Sequence, residues 1–289
     1  MSERLAQQHQ LPPEWVKQQI SRAHKLDSIR QLVLPPKEGQ RKNWQAYRAR
    51  FVEPSRIQAG VKFWREHRQA IARASDTFQV PDWLIVGVLG VETLYGQHMG
   101  QTSVIDSLTT LSLDFPSAHP RAQERQQFFE NELGVFLRLA RHEPHLLKAK
   151  GSYAGAMGWG QFMPSSIDRF AVDFDGNGHI NLQKSAVDAI GSIANYFKQH
   201  GWKPGLGTHF EAAINSQPDQ LETLLVPDIL PTFSATRMTE LGVSLPADYA
   251  ALSGPLALVE LQNGDAPNSY VVGTENFYVV TRYNWSSYY

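Results

Sequence analysis

The chain reads as a mainly α-helical protein of the α+β class, and three observations carry that reading. Apolar residues recur at three- and four-residue spacing up to about Val80. The run from Pro81 to Tyr95, PDWLIVGVLGVETLY, is almost wholly apolar and too regular to be a loop. From about Pro204 prolines and glycines multiply, and short alternating runs such as SYVVG and NFYVVTRY take the period of strands.

Along the N-terminal stretch, Trp15, Val16, Ile20 and Ala23 mark one helical face. Ile57, Val61, Trp64 and Ile71 mark another, after Ser55 as a helix cap. Pro35, Pro36 and Gly39 break the chain between them. In the apolar run, Pro81 suits a first helical position, Asp82 the positive end of the dipole, and Gly96 a C-terminal stop. A further helix is expected from about Gln123 to Arg141, with Phe129, Leu133, Phe136 and Ala140 on one face. Another follows the DGNG segment, packing Ile190, Ile193, Ala194 and Phe197, with Tyr196 at its flank. Pro204 to about Thr274 then forms a small β-containing insertion.

A chain of 289 residues buries a substantial core in one large domain or two to three small ones. A net charge of −1 lacks the basic face that nucleic acid requires. With no cysteine there is no disulfide, thiol nucleophile, Cys zinc site or Cys lipid anchor. The opening MSERLAQQHQLPPEW has no apolar core of a signal peptide, and no apolar run approaches the ~20 residues needed to span a bilayer. The ten histidines show no HExxH spacing, and no GxSxG or P-loop occurs.

After Asp82, the only ionisable groups in the apolar run are Glu92 and the phenol of Tyr95. A carboxyl at the end of such a helix is expected to be partly desolvated, which raises its pKa and suits it to general acid work. The plainer reading is a Glu that surfaces at the helix end. The segment Lys150 to Ser166, KGSYAGAMGWGQFMPSS, interleaves Gly151, Gly155, Gly158 and Gly160 with Tyr153, Met157, Trp159 and Phe162. Close backbone approach and flat apolar faces fit a carbohydrate cleft; a Gly-rich packing loop is the alternative. Asp173 to Lys184, DFDGNGHINLQK, matches an EF-hand loop at positions one, three, five and six. Asp173, Asp175 and Asn177 offer side-chain oxygens and His179 its carbonyl. Lys184 stands where a bidentate Glu belongs, which leaves a metal-free turn as the alternative.

ETLYG, GAMGWGQFMPSS and DFDGNGHINLQKSAVDAIGSIANYF, with WQAYRARFVEPSRI before them and NFYVVTRYN after, resemble the lytic murein transglycosylase B family. The resemblance runs from Trp44 to Tyr289 with the segments in the family's order. It implies an outer helical domain (1–75) and a lysozyme-like catalytic core with the EF-hand-like loop (76–203). A small β-containing domain (204–274) and a return segment lining the cleft (275–289) follow. It also implies a periplasmic enzyme, outer-membrane anchored in longer native forms, acting on peptidoglycan with Glu92 as its acid. Sugar contacts carry over to Tyr47, Ser152, Gln161, Tyr196, Tyr278 and Tyr283, each tyrosine having a core role as its alternative. Where the family tends to have an arginine pair this chain has Glu124–Arg125, so only Arg125 carries over.

Asp188 would close the loop around a structural calcium, with sodium as the other hard cation and no organic cofactor. The expected partners are peptidoglycan glycan strands, with cell-wall synthesis or remodelling proteins beyond them, and the chain is expected to be a monomer. Most glycosidases use two carboxylates. One suffices if the C6 hydroxyl of the muramic acid residue is the nucleophile. Asp106 is the candidate second carboxylate of a hydrolytic muramidase, with a helix cap as its plain reading. A peptidoglycan-binding protein without catalysis is the third reading.

Overall fold

A computed structural model describes residues 1–35, 41–246 and 253–289. Pro36 and Gly39, read as part of a break, lie outside them. The chain packs into two compact units, Met1–Glu38 with Arg56–Tyr196, and Gly39–Ser55 with Phe197–Tyr289. These divide the sequence differently from the four expected segments. No unit boundary falls near residue 75; instead the segment Gly39–Ser55 leaves the first unit for the second.

The physical reason lies in the first unit's core. Helices α1 (Ser2–His9), α2 (Pro13–Arg22) and α3 (Asp27–Leu32) send Leu5, Val16 and Ile29 into it. There they meet Val104, Leu108 and Leu111 of α8 (Val104–Leu113) and Phe129, Leu133, Phe136 and Leu137 of α9 (Ala122–His142). The expected face of α9, including Ala140, is buried in full. Two acids sit on this helix in the interior. Glu130 takes a forked bond from Arg4 of α1, Nε at 2.8 Å and Nη2 at 2.7 Å. Glu132 accepts both the N–H (2.8 Å) and the hydroxyl (2.6 Å) of Ser165. Burial holds the Glu132 carboxyl above the usual carboxylate range.

The remaining helices of this unit, α5 (Pro54–Glu66), α6 (Arg68–Phe78), α7 (Asp82–Thr93), α10 (Pro164–Phe170) and most of α11 (Ala186–Gln199), follow the same logic with one correction. On α5, Ile57 and Val61 are exposed, and the buried face is Gly60 and Phe63. The helix also begins at Pro54, ahead of the expected Ser55 cap, and the Ser55 hydroxyl donates to Glu53.

In the second unit, β6 (Ala257–Asn263) and β7 (Ala266–Gly273) form an antiparallel hairpin in register Leu258↔Val272. Strand β3 (His209–Glu211) joins on the far side of β7, and β4 (Ala213–Ile214) pairs with β5 (Val243–Ser244). Helices α4 (Trp44–Phe51), α12 (Pro218–Leu225) and α13 (Ala235–Glu240) complete the layer. SYVVG is a strand as expected, but NFYVVTRYN is not. It forms α14 (Glu275–Thr281), capped by the Thr274 hydroxyl, which accepts the Asn276 N–H at 3.1 Å. A cap and an acidic first turn outweigh the β preference of its Tyr and Val residues.

Candidate active site

Helix α7 begins at Asp82 with Pro81 one position before it, and it ends at Thr93, short of the expected stop at Gly96. Leu94, Tyr95 and Gly96 then take left-handed backbone in succession, at φ 49°, 57° and 82°. Such a reversal is unfavourable for the two side-chain-bearing residues, so neighbouring structure must hold it. That support is visible at Tyr95, whose phenol fits between Gly60 of α5 and Gly90 of α7. A Cβ at either glycine would lie within 2.5 Å of the hydroxyl oxygen. The Tyr95 ring stacks on Phe63 at 5.3 Å, and Phe63 in turn meets Trp159 at 5.8 Å. Burial pushes the Tyr95 phenol above its ordinary pKa.

Glu92 is half-buried at this helix end. Thr93, the next residue, donates its hydroxyl to the Trp159 carbonyl at 2.8 Å and accepts the Gly96 N–H at 2.9 Å. One hydroxyl thus joins the end of α7 to the Gly-rich strip. Further ties follow in order. Gln161 donates its amide to the carbonyls of Met99 (3.2 Å) and Gly158 (2.9 Å). The two-residue strands β1 (Thr102–Ser103) and β2 (Lys150–Gly151) pair antiparallel. Gly100 lies so close to Gly151 that a Cβ would sit 2.0 Å from its carbonyl oxygen. The strip therefore packs against the end of α7 and the residues that follow it, next in sequence to Glu92.

Ser152 lies inside the strip, half-buried, with its hydroxyl oxygen accepting from Ala154 and Ala156 N–H at 3.3 and 3.0 Å. That oxygen holds the loop's shape, whatever its hydrogen reaches. Arg125 stands over Phe128 and Phe129 at 5.0 and 5.2 Å, and burial lowers its pKa. The Tyr153 phenol is close enough to act on it electrostatically. Tyr196 is 7% exposed, packed against Phe162 and Phe170. In the second unit, Tyr47 packs with Trp44, Phe51 and Tyr288. Tyr278 meets Trp285 edge-on, and Tyr283 stacks between Phe197 and Tyr289.

Asp106, the candidate second carboxylate, lies on the first turn of α8. Its side chain accepts the His24 N–H at 2.9 Å, fastening the connection between α2 and α3. It is not the cap of α8, which is Ser103.

Among the described residues, one group of carboxylates has metal-site geometry: oxygens of Asp173, Asp175 and Asp188 all lie within 4.8 Å of one another. Asp188 is fully buried, accepting N–H groups of Phe174 (2.9 Å), Asp175 (3.1 Å) and Asn181 (2.8 Å). Asp173 accepts from Gly176, Asn177 and Gly178, and the Gly178 bond above all holds its carboxyl below the usual range. Asn177 accepts the His179 N–H. Three anionic groups gathered around one point, one of them wholly desolvated, repel each other unless a cation joins them. The donors are all oxygens, which fits a hard cation such as calcium.

Sequence reasoning missed Thr93, Phe63 and the pair of glycines that seat Tyr95. The available signal was a pair of glycines, Gly87 and Gly90, inside an apolar helix; only Gly90 faces Tyr95.

These features define a helical protein with one half-buried carboxylic acid at a rigid helix end, beside a glycine- and aromatic-rich strip. The Transglycosylase SLT domain matches residues 1–289, and the chain belongs to that family. It is 38% identical over 297 residues to membrane-bound lytic murein transglycosylase B of Escherichia coli K12, covering 99% of this chain and 78% of that protein. The soluble lytic transglycosylase SltB1 of Pseudomonas aeruginosa superposes with a TM-score of 0.86 at 38% identity, over 100% of this chain and 92% of that one. The Escherichia coli lytic transglycosylase Slt35, solved in complex with calcium, superposes at 0.82 with 38% identity, over 99% of this chain and 86% of that one.

Proposed function

We propose that this chain is a periplasmic lytic transglycosylase that cleaves the N-acetylmuramic acid–N-acetylglucosamine bond of peptidoglycan with Glu92 as its only acid–base group. The observation that carries the reading is the end of α7, where the Thr93–Trp159 hydrogen bond fixes a half-buried carboxyl beside the Gly-rich strip. Glu92 protonates the glycosidic oxygen as the C1–O bond breaks. The C6 hydroxyl of the muramic acid residue forms a new bond to C1, and the Glu92 carboxylate takes its proton. The acid is regenerated, no water is consumed, and the product ends in a 1,6-anhydro ring. Ser152, Gln161 and Arg125 of the first unit are assigned as sugar contacts, and so, within the second unit, are Tyr47, Tyr278 and Tyr283. Tyr196, buried between two phenylalanines, offers at most its hydroxyl.

The experiment is product analysis after digestion in oxygen-18 water. Muropeptides ending in 1,6-anhydromuramic acid are expected, one water lighter than hydrolytic products, unlabelled, and resistant to borohydride. Reducible, labelled ends would establish a hydrolytic muramidase instead. The tie between Asp106 and His24 favours the anhydro outcome.

Asp173, Asp175, Asn177, Asp188 and the His179 carbonyl would hold calcium, whose contribution is to brace the loop ahead of α11. Calcium at a hundredfold over its dissociation constant is expected to stabilise the fold by about 2.7 kcal/mol, because only the native state binds it. Asp173→Ala should abolish that response in a melting experiment. Identical melting curves in calcium and in chelator would reduce the loop to a turn.

A further inference from the structure

Trp285 plays no part in the reaction described above, yet its placement is unusual. The residue follows α14 with backbone φ of 50°, a region that bulky side chains rarely adopt, and it is 68% exposed. One edge rests against Tyr278 at 6.4 Å, and the Arg282 guanidinium lies over both rings, at 5.5 Å from Tyr278 and 5.8 Å from Trp285. The indole is thus held at its margin while most of it faces solvent. Hydrophobic burial would place such a ring inside; here the backbone is turned to put it outside.

Beside it lies a cavity of about 210 Å³ lined by Trp285, Lys42, Glu260, Gln262, Ser286 and Ser287, among others. Its wall is made rigid by Tyr288, whose hydroxyl donates to the Gln262 carbonyl at 3.0 Å and whose ring carries the Lys42 ammonium at 5.6 Å. The polar groups of its lining mix Lys42 with the carboxylates of Asp228 and Glu260 and the neutral Gln262, Ser286 and Ser287, which disfavours a polyanion. They match a ligand dense in hydroxyl and amide groups. A cavity this small is below the roughly 300–1,000 Å³ of a drug-sized site and is on the scale of one sugar ring. A flat exposed indole beside it supplies the apolar surface that the CH face of a pyranose covers.

We infer that Trp285 and this cavity form an additional saccharide subsite, continuing along the second unit from the glycan contact at Tyr278. The inference rests on the peptidoglycan reading above and names a further point of attachment for the same polymer. Its test uses the Glu92→Gln background, so that wall material is bound and not consumed. Pelleting with insoluble peptidoglycan and calorimetric titration with N-acetylchitotetraose should both weaken about tenfold on Trp285→Ala, the loss of one stacked ring. Trp285→Tyr, which keeps a flat ring, should stay within about threefold of its parent. Gln262→Ala gives a second, milder loss from the polar side of the cavity. Unchanged affinity in the Ala variant overturns the subsite, and so does a Tyr variant as weak as Ala. Weakened pelleting with unchanged chitotetraose binding also overturns it, since the ligand would then be the stem peptide. Failure of the wild-type protein to lyse walls would instead strike the proposed reaction, leaving the chitotetraose titration to judge the subsite by itself.

Discussion

Glu92→Gln is expected to lower wall lysis by ~10² to 10⁴-fold, the range for loss of a general acid–base group, with the larger figure following from the proposal that Glu92 acts alone. The amide keeps the size and polarity of the carboxyl but has no proton to give the leaving oxygen. It also cannot accept one from the C6 hydroxyl, so both halves of the reaction fail together. Because the end of α7 is fixed by Thr93 and by the seating of Tyr95, the variant should melt at the wild-type temperature and still pellet with peptidoglycan. Turbidity loss of purified walls measures the first quantity. Activity within a few-fold of wild type would remove Glu92 from the mechanism.

Gly100→Ala has the second largest effect, here on stability. Its backbone φ is 86°, and the new Cβ would lie 2.0 Å from the Gly151 carbonyl oxygen and 2.7 Å from the Ser152 nitrogen. Left-handed backbone alone costs an L-residue roughly 1–2 kcal/mol. Overpacking against immovable backbone adds about 1–3 kcal/mol more. The strip would have to shift away from the residues after α7, so activity should fall with stability. Gly205→Ala makes the comparison sharp: φ is 80° there, but nothing stands within 4 Å of the added atom. It should lose only the backbone share. Equal melting temperatures for the two variants would show that the contact between Gly100 and Gly151 can relax freely.

Much of the helical framework was legible because it follows from local pattern. The 3.6-residue recurrence of Phe129, Leu133, Phe136 and Ala140 can bury itself on only one side of a helix, and it does. The Asp173–Asp175 spacing was legible in the same way, since a tight turn brings alternate side chains to one point, where Asp188 joins them. What escaped depended on distant partners. Ile57 and Val61 have helical spacing, but the chain turns Gly60 inward because only a residue without a side chain admits Tyr95. NFYVVTRYN has strand composition, yet Thr274 and Glu275 start a helix that no alternation count registers. The end of α7 came three residues before Gly96 because Leu94 and Tyr95 bear left-handed backbone that their own sequence disfavours. For Asp106, read in the sequence as a candidate carboxylate or a helix cap, the His24 N–H that it accepts lies 82 residues away and no local pattern registers it.

The bond between Thr93 and Trp159 spans 66 residues of chain. Synthesis proceeds from the N-terminus, so α7 and its acid leave the ribosome well before the strip that secures them exists. Until that strip arrives, the reversal after Thr93 is held from one side only, by the seating of Tyr95 between Gly60 and Gly90, and the Thr93 hydroxyl lacks the Trp159 carbonyl. On the proposed reading, completion of the first unit is an arming step: a partial chain that stops before Trp159 carries Glu92 without the bond that fixes the end of α7.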